Sequence, residues 1–143
     1  MADIRQIFFI KASPQKIFEG VSTPEGIDNW WTLESSGKPA IGEKYELGFG
    51  PEYQWDAEVS KFTPSREFEL TMKRSDDDWK DTRVGFNIEP QEGGSKVEFY
   101  HTGWPADNEH HRISTYCWAM YLRILKLNLE NGYKVPYEDR LDV

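Results

Sequence analysis

Hydrophobic and polar positions alternate in six stretches of this chain, and in one long stretch they recur every three or four residues. Residues 4–12 place Phe8, Ile10 and Ala12 on one face and Ile7 and Phe9 on the other, which is the period of a strand. Ser13-Pro14 breaks that period, because Ser is a good helix N-cap and Pro suits the first helical position. The pattern predicts a short helix over about residues 14–20 with Ile17, Phe18 and Val21 inward. Thr23-Pro24-Glu25 repeats cap, proline and acid and predicts a second helix running into Ile27, Trp30 and Trp31. Both are too short to fold unaided.

Ser35-Ser36-Gly37-Lys38-Pro39 reads as a loop by its turn residues. Five strands are expected after it. Residues 43–49 carry Tyr45, Leu47 and Phe49 on one face; residues 53–62 carry Tyr53, Trp55, Ala57 and Val59; residues 67–72 carry Phe68, Leu70 and Met72. The fourth is marked by Val84, Phe86 and Ile88, and the fifth by Val97, Phe99 and His101. Each shows period two with one apolar face, and turn residues such as Gly50-Pro51, Pro64-Ser65 and Gly93-Gly94 separate them, which predicts an antiparallel meander.

From about residue 108 to 131 the period changes. Ile113, Cys117, Met120, Ile124 and Leu127 form one apolar stripe, and Trp118, Leu122, Leu125 and Leu129 form a second beside it. Gly132 stands where a helix-terminating glycine belongs. At 1.5 Å per residue this helix is roughly 35 Å long, enough to cross a small sheet. The expected architecture is α+β: a six-stranded curved antiparallel sheet wrapped around the C-terminal helix, with Met120, Ile124 and Leu127 facing the sheet and two short helices after strand one.

A length of 143 residues suits one domain over residues 1–143, and neither repeat nor linker divides it. The formal charge of −8 argues against a nucleic-acid partner, since no basic cluster offsets it. Useful affinity for duplex DNA at physiological salt is not expected. The single cysteine, Cys117, excludes an internal disulfide and fits a reducing compartment. No apolar run approaches the ~20 residues of a membrane span, and the first residues lack a secretory pattern. A cytoplasmic location is therefore expected.

Aromatic residues make up 15% of the chain, with 6 Trp, so much of its apolar surface lies in rings. Trp30, Trp31, Tyr53, Trp55, Phe86, Trp104, Trp118 and Tyr121 are positioned to line the space between sheet and helix. They either form a pocket for a small hydrophobic or aromatic molecule or fill the gap as a core. His101, in phase with Val97 and Phe99, stands either at the pocket mouth as a polar group or general base, or as a histidine satisfied near a strand end. His110 and His111 are adjacent, point about 100° apart on a helix, and read as solvated rather than as a metal pair. The acids Asp76-Asp77-Asp78 with Asp81 lack the spacing of a calcium loop and read as a charged turn. Cys117 reads as a helix-stripe residue rather than a nucleophile. No nucleophile elbow, phosphate loop or dinucleotide fingerprint occurs, and neither a catalytic set, a cofactor nor a metal is expected.

The order of elements also carries a resemblance. The segment Ile10-Lys11-Ala12-Ser13-Pro14-Gln15-Lys16-Ile17-Phe18, then Ser22-Thr23-Pro24-Glu25-Gly26-Ile27 to Trp30-Trp31, resembles the opening of the activator homologues of the ninety-kilodalton heat-shock-protein ATPase. That family belongs to the START/polyketide-cyclase (SRPBCC) superfamily, which shares the birch-pollen-allergen fold. Gly42-Glu43-Lys44-Tyr45, residues 59–66, Gly93-Gly94-Ser95-Lys96-Val97 and His101-Thr102-Gly103 extend the likeness, as does the closing helix with Trp118. The resemblance covers nearly the whole chain and implies a helix-grip fold. It departs at Cys117, where family members often carry glycine before the helical tryptophan. The eukaryotic activators have a second, N-terminal domain that contributes to chaperone binding, for which 143 residues leave no room. The superfamily includes ligand carriers, receptors and cyclases, so fold alone does not fix function. A hydrophobic-ligand carrier is the first expectation, a chaperone-regulator-like or other protein-interaction module the second, and a cyclase- or hydrolase-like enzyme using the same cavity the third.

Overall fold

The computed structural model describes residues 2–143. Strand β1 (Ala2–Ile10) leads into helix α1 (Pro14–Ser22) and helix α2 (Pro24–Ile27). Six strands follow: β2 (Glu34–Gly37), β3 (Lys44–Gly48), β4 (Gln54–Thr63), β5 (Glu67–Arg74), β6 (Arg83–Gln91) and β7 (Gly94–Trp104). Helix α3 (Glu109–Asn131) and a short 3-10 helix (Tyr137–Asp142) complete the chain. The strands form one antiparallel sheet in the order β1-β7-β6-β5-β4-β3-β2. It curves around α3 in a helix-grip arrangement, with β1 and β2 at its open edges.

The helix starts follow from their caps. Ser13 Oγ accepts the Lys16 N–H at 3.2 Å, and Thr23 Oγ1 accepts the Gly26 N–H at 3.0 Å. Strand β1 ends at Ile10 rather than at residue 12, because the Ala12 N–H turns back to the Ile10 carbonyl. Asn108 caps α3 by accepting the His111 N–H, and Gly132 ends it with a φ of 71° that disfavours most other residues.

Three expectations are corrected. The sheet has seven strands, since the stretch read as a loop contributes β2, whose residues Glu34 to Gly37 pair with Gly48 to Tyr45 of β3. An edge strand needs backbone pairing on one side only, and the one side chain of β2 that reaches α2 is the Ser35 hydroxyl, so the strand carries no apolar alternation. Helix α2 stops at Ile27; Trp30 and Trp31 follow in a turn held by N–H bonds to the Ile27 carbonyl. On α3 the stripe Trp118, Leu122, Leu125 and Leu129, together with Ser114, is buried, whereas Leu127 is 38% and Ile113 55% exposed. Met120 and Ile124 are buried as expected. A stripe with a mean spacing of 3.5 drifts about 20° per heptad around a straight helix. Over the two heptads from Ile113 to Leu127 its ends therefore turn out of the contact.

The outer sheet face holds one row across five strands that is buried at its centre, Tyr100 and Glu69, and exposed at its ends, Arg5 and Lys61. Arg5 pairs with Tyr100, Tyr100 with Gly85, Gly85 with Glu69, and Glu69 with Lys61. The Tyr100 ring crosses over Gly85 so that its hydroxyl donates to Glu69 Oε2 at 2.6 Å, and Ser60 Oγ donates to Oε1 at 2.6 Å. Burial, then the bond to Glu69, pushes the Tyr100 phenol well above its ordinary value. Glycine is required here: a Cβ at position 85 would lie 2.4 Å from the Tyr100 hydroxyl. Gly85→Ala is expected to cost about 1–3 kcal/mol by displacing the ring and weakening the hydration-free contact to buried Glu69. Urea unfolding of the variant measures it, and a loss below about 0.5 kcal/mol would contradict the packing.

Candidate functional site

Between sheet and α3 the six tryptophans form one network of touching rings. Trp30 stacks on Trp31 at 5.9 Å, Trp31 meets Trp118 at 5.2 Å, and Trp118 stacks on Trp79 at 5.7 Å. Trp79 in turn touches Trp55 at 5.1 Å and Trp104 at 6.1 Å. Phe86 sits edge-on to Trp30, Phe99 packs 4.6 Å from Trp118, and Tyr121 lies edge-on to Trp118. Burial raises the Tyr121 phenol to about 12.

Of the residues expected to line the space, Trp30, Trp31, Phe86, Trp104 and Trp118 are buried, and Trp55 and Tyr121 are partly so. Tyr53 is the correction. It is 55% exposed, because it lies in the tight turn where its carbonyl accepts the Phe49 N–H, beyond the end of the aromatic network. Trp79 is the residue that sequence reasoning missed. It follows the acidic run 76–78 in a turn, where its N–H is held by Asp76, and a charged turn masks a ring that points inward and is only 8% exposed.

The network leaves little room. Among Val21, Trp30, Trp31, Phe68, Leu70, Val84 and Phe86 the remaining void is about 10 Å³, at the lower limit of the roughly 10–15 Å³ that one water requires. The C-terminal segment bonds to the turn that carries Trp30 and Trp31. The Arg140 guanidinium is buried and donates to the carbonyls of Asp28 (2.7 Å), Thr32 (3.1 Å) and Val135 (3.2 Å), while the Tyr137 hydroxyl donates to the Phe49 carbonyl at 3.2 Å.

His101 is fully buried inside this network rather than at a mouth. An indole N–H can only donate, so the 3.0 Å contact from Trp118 Nε1 makes His101 Nδ1 an acceptor and puts the ring proton on Nε2. Nε2 therefore donates to Thr82 Oγ1 at 2.8 Å, and that hydroxyl donates to the Trp79 carbonyl at 2.6 Å. Burial, with the nearby His111 and His110 adding to it, pushes His101 down to about 3. A neutral imidazole with both nitrogens engaged has no free lone pair for general-base work.

His110 and His111 are not the solvated pair expected from sequence. His110 meets Asp78 Oδ2 at 2.9 Å and is partly exposed, while the His111 side chain is only 12% exposed and packs edge-on to Trp104 at 5.1 Å. Asn108 caps the first turn of α3 at the His111 N–H, and the His111 ring packs on Trp104. Among the described residues no group of three His, Cys, Asp or Glu side chains is arranged to hold a metal, and no helix is long and apolar enough to cross a membrane. Cys117 is half-buried, and burial raises its thiol.

Comparison with known proteins places this arrangement. The solution structure of the Aha1 dimer from Colwellia psychrerythraea superposes with a TM-score of 0.83 at 29% identity, covering 92% of this chain and 98% of that one. A crystal structure of a protein from Staphylococcus saprophyticus gives 0.79 at 18% identity over 94% and 96% of the two chains. A Bacillus halodurans protein gives 0.76 at 22% over 91% and 98%. The latter two speak for the fold alone. No curated protein sequence matches the chain. Residues 11–130 match the family described as Activator of Hsp90 ATPase homolog 1-like protein, and the chain belongs to that family.

Proposed function

We propose that this chain acts through its surface, as a protein-interaction module of the chaperone-regulator type, and that the aromatic space between sheet and helix is its core. The observation that carries this reading is the residual void of about 10 Å³, where a drug-sized ligand needs roughly 300–1,000 Å³. The neutral, doubly bonded His101 supports it, since it leaves the interior without a free acid–base group. Family membership supports an Hsp90-type chaperone as the first partner to test.

The test is the ATPase rate of such a chaperone from the same cell, measured against increasing amounts of this chain. A saturable change in rate is expected. An unchanged rate, with no association detected by light scattering, removes the chaperone from the proposal. One observation favours a second reading, ligand carriage: the small void lies among Trp30, Trp31 and Phe86, the rings a ligand would enter. Saturable shifts of tryptophan emission with fatty acids or planar hydrophobes, weakened by Trp31→Ala, would carry that reading instead.

A further inference from the structure

Strand β1 and helix α3 leave a groove of about 440 Å³ between them, outside the aromatic interior. Ile7 and Phe9 line it from β1, Ala119 and Leu122 from α3, with Arg123 and Lys126 on the helix side. No Asp or Glu lines it, although the chain carries a formal charge of −8. By contrast, the cleft beside β2 carries Glu34 and Glu46, and the one over β6 and β7 carries Glu89 and Glu98. The two cations of the groove differ. Lys126 Nζ donates to the Phe9 carbonyl at 3.0 Å and to Glu130 Oε2 at 2.5 Å, and the same carboxylate oxygen accepts the Lys11 N–H at 2.8 Å. Arg123 is exposed, and its guanidinium meets no carboxylate among the described residues.

These contacts choose the occupant. A small-molecule site ordinarily encloses roughly 70–90% of its ligand, whereas this groove lies open to solvent and its Ile7 wall is 63% exposed. An added strand would need the backbone groups of Phe9 and Lys11, which α3 already holds. A helix satisfies its own backbone and needs only side-chain contact. From Ala119 to Lys126 the groove follows α3 for roughly 10 Å, about two helical turns. We propose that this groove receives an acidic amphipathic helix of a partner protein, with its apolar stripe against Ile7, Ala119 and Leu122 and one carboxylate on Arg123. Apolar walls alone would accept any amphipathic helix. The unpaired guanidinium makes the choice, because its planar fork matches a carboxylate bidentately. The inference rests on the reading that the surface does the binding, and it adds which face binds and what the partner presents to it.

NMR titration of the isotopically labelled full chain tests it with peptides of about 15 residues, cross-linked internally so that they stay helical. All share a leucine stripe and carry Glu, Gln or Lys beside it. The Glu peptide should saturate, with shifts confined to the amides that line the groove, and the Lys peptide should bind at least about tenfold more weakly. Arg123→Glu, at an exposed position, should keep its circular dichroism and invert that order. Arg123→Lys should keep the order with lower affinity, and Ile7→Asp should weaken all three peptides. Equal affinity across the three, shifts centred elsewhere, or no binding up to millimolar concentration overturns the inference. Equal binding of a Glu peptide broken by proline would make the occupant an extended segment, and decanoate bound at the same amides as tightly as the Glu peptide would make it a small amphiphile; either overturns it as well. A Glu peptide that binds here while the chaperone's ATPase rate stays unchanged removes the chaperone and leaves this inference standing. A rate that responds while no peptide binds does the reverse.

Discussion

Trp118→Ala is expected to lower the unfolding free energy by at least about 3–5 kcal/mol, a large share of the roughly 5–15 kcal/mol that holds a domain together. Trp118 is 1% exposed and touches Trp31, Trp79, Phe99 and Tyr121. Its removal leaves a hole among rings that stiff neighbours cannot collapse into, and it strips His101 Nδ1 of its only donor. The cost of a buried orphan acceptor adds to the cavity term. Urea unfolding measures the loss. Indole or benzene should restore part of it by filling the hole, as apolar cavities in proteins do. If the space were an open pocket, the same substitution would cost less than about 1 kcal/mol and small aromatics would already bind the unmodified chain.

The second large effect is on acid stability. The unfolded His101 titrates near 6.5, while burial holds the folded imidazole down to about 3. Between those values the unfolded chain takes up a proton that the folded chain refuses. The stability His101 contributes is therefore full above about pH 6.5 and lost progressively as pH falls toward 3. Each pH unit in that window costs about 1.4 kcal/mol, so stability at pH 5 should stand about 2 kcal/mol below that at pH 7.5. The lowered carboxyls of Asp56 and Glu130 add a loss of the same sign, but only below their ordinary values of 3.8 and 4.5. The interval from pH 7.5 to 5 thus sets the carboxyls aside, and a His101 variant separates His101 from His110 and His111. His101→Gln, which can still accept from Trp118 and donate to Thr82, should flatten the profile there. An equally steep profile in the variant would place the titrating group elsewhere.

Much of the architecture was legible because it rests on local chemistry. Ser13 and Thr23 each precede a proline and cap a helix, and period two in β3 to β7 needs only one covered face. Three features were hidden for physical reasons. β2 is held by backbone pairing to β3 and by the Ser35 hydroxyl, which donates to the Pro24 carbonyl and Asp28, so Glu34 to Gly37 carry no apolar pattern. Trp79 is turned inward by a long-range packing choice within an acidic turn, and nothing in its neighbours signals that. On α3 two adjacent stripes were both apolar, and only the straightness of the helix decides that Trp118 and Leu122 face inward while Leu127 leans out.

The candidate site was harder to read than the fold. Ring content identified the residues that meet between sheet and helix, but not whether their volumes fill the space, which depends on interlocking at a scale of tens of Å³. Tyr53 shares a strand face with Trp55, yet the sheet ends before the core reaches it. His101 could be placed on an inward face, but its role turns on two partners, Trp118 and Thr82, that lie 17 and 19 residues away along the chain.

The claim that the aromatic interior is a filled core is tested most directly by native mass spectrometry of freshly purified protein. The account predicts the bare chain of 16.7 kDa with no bound small molecule. A stoichiometric apolar adduct, retained in the native spectrum and released on denaturation, would contradict it and put a ligand where the rings now meet.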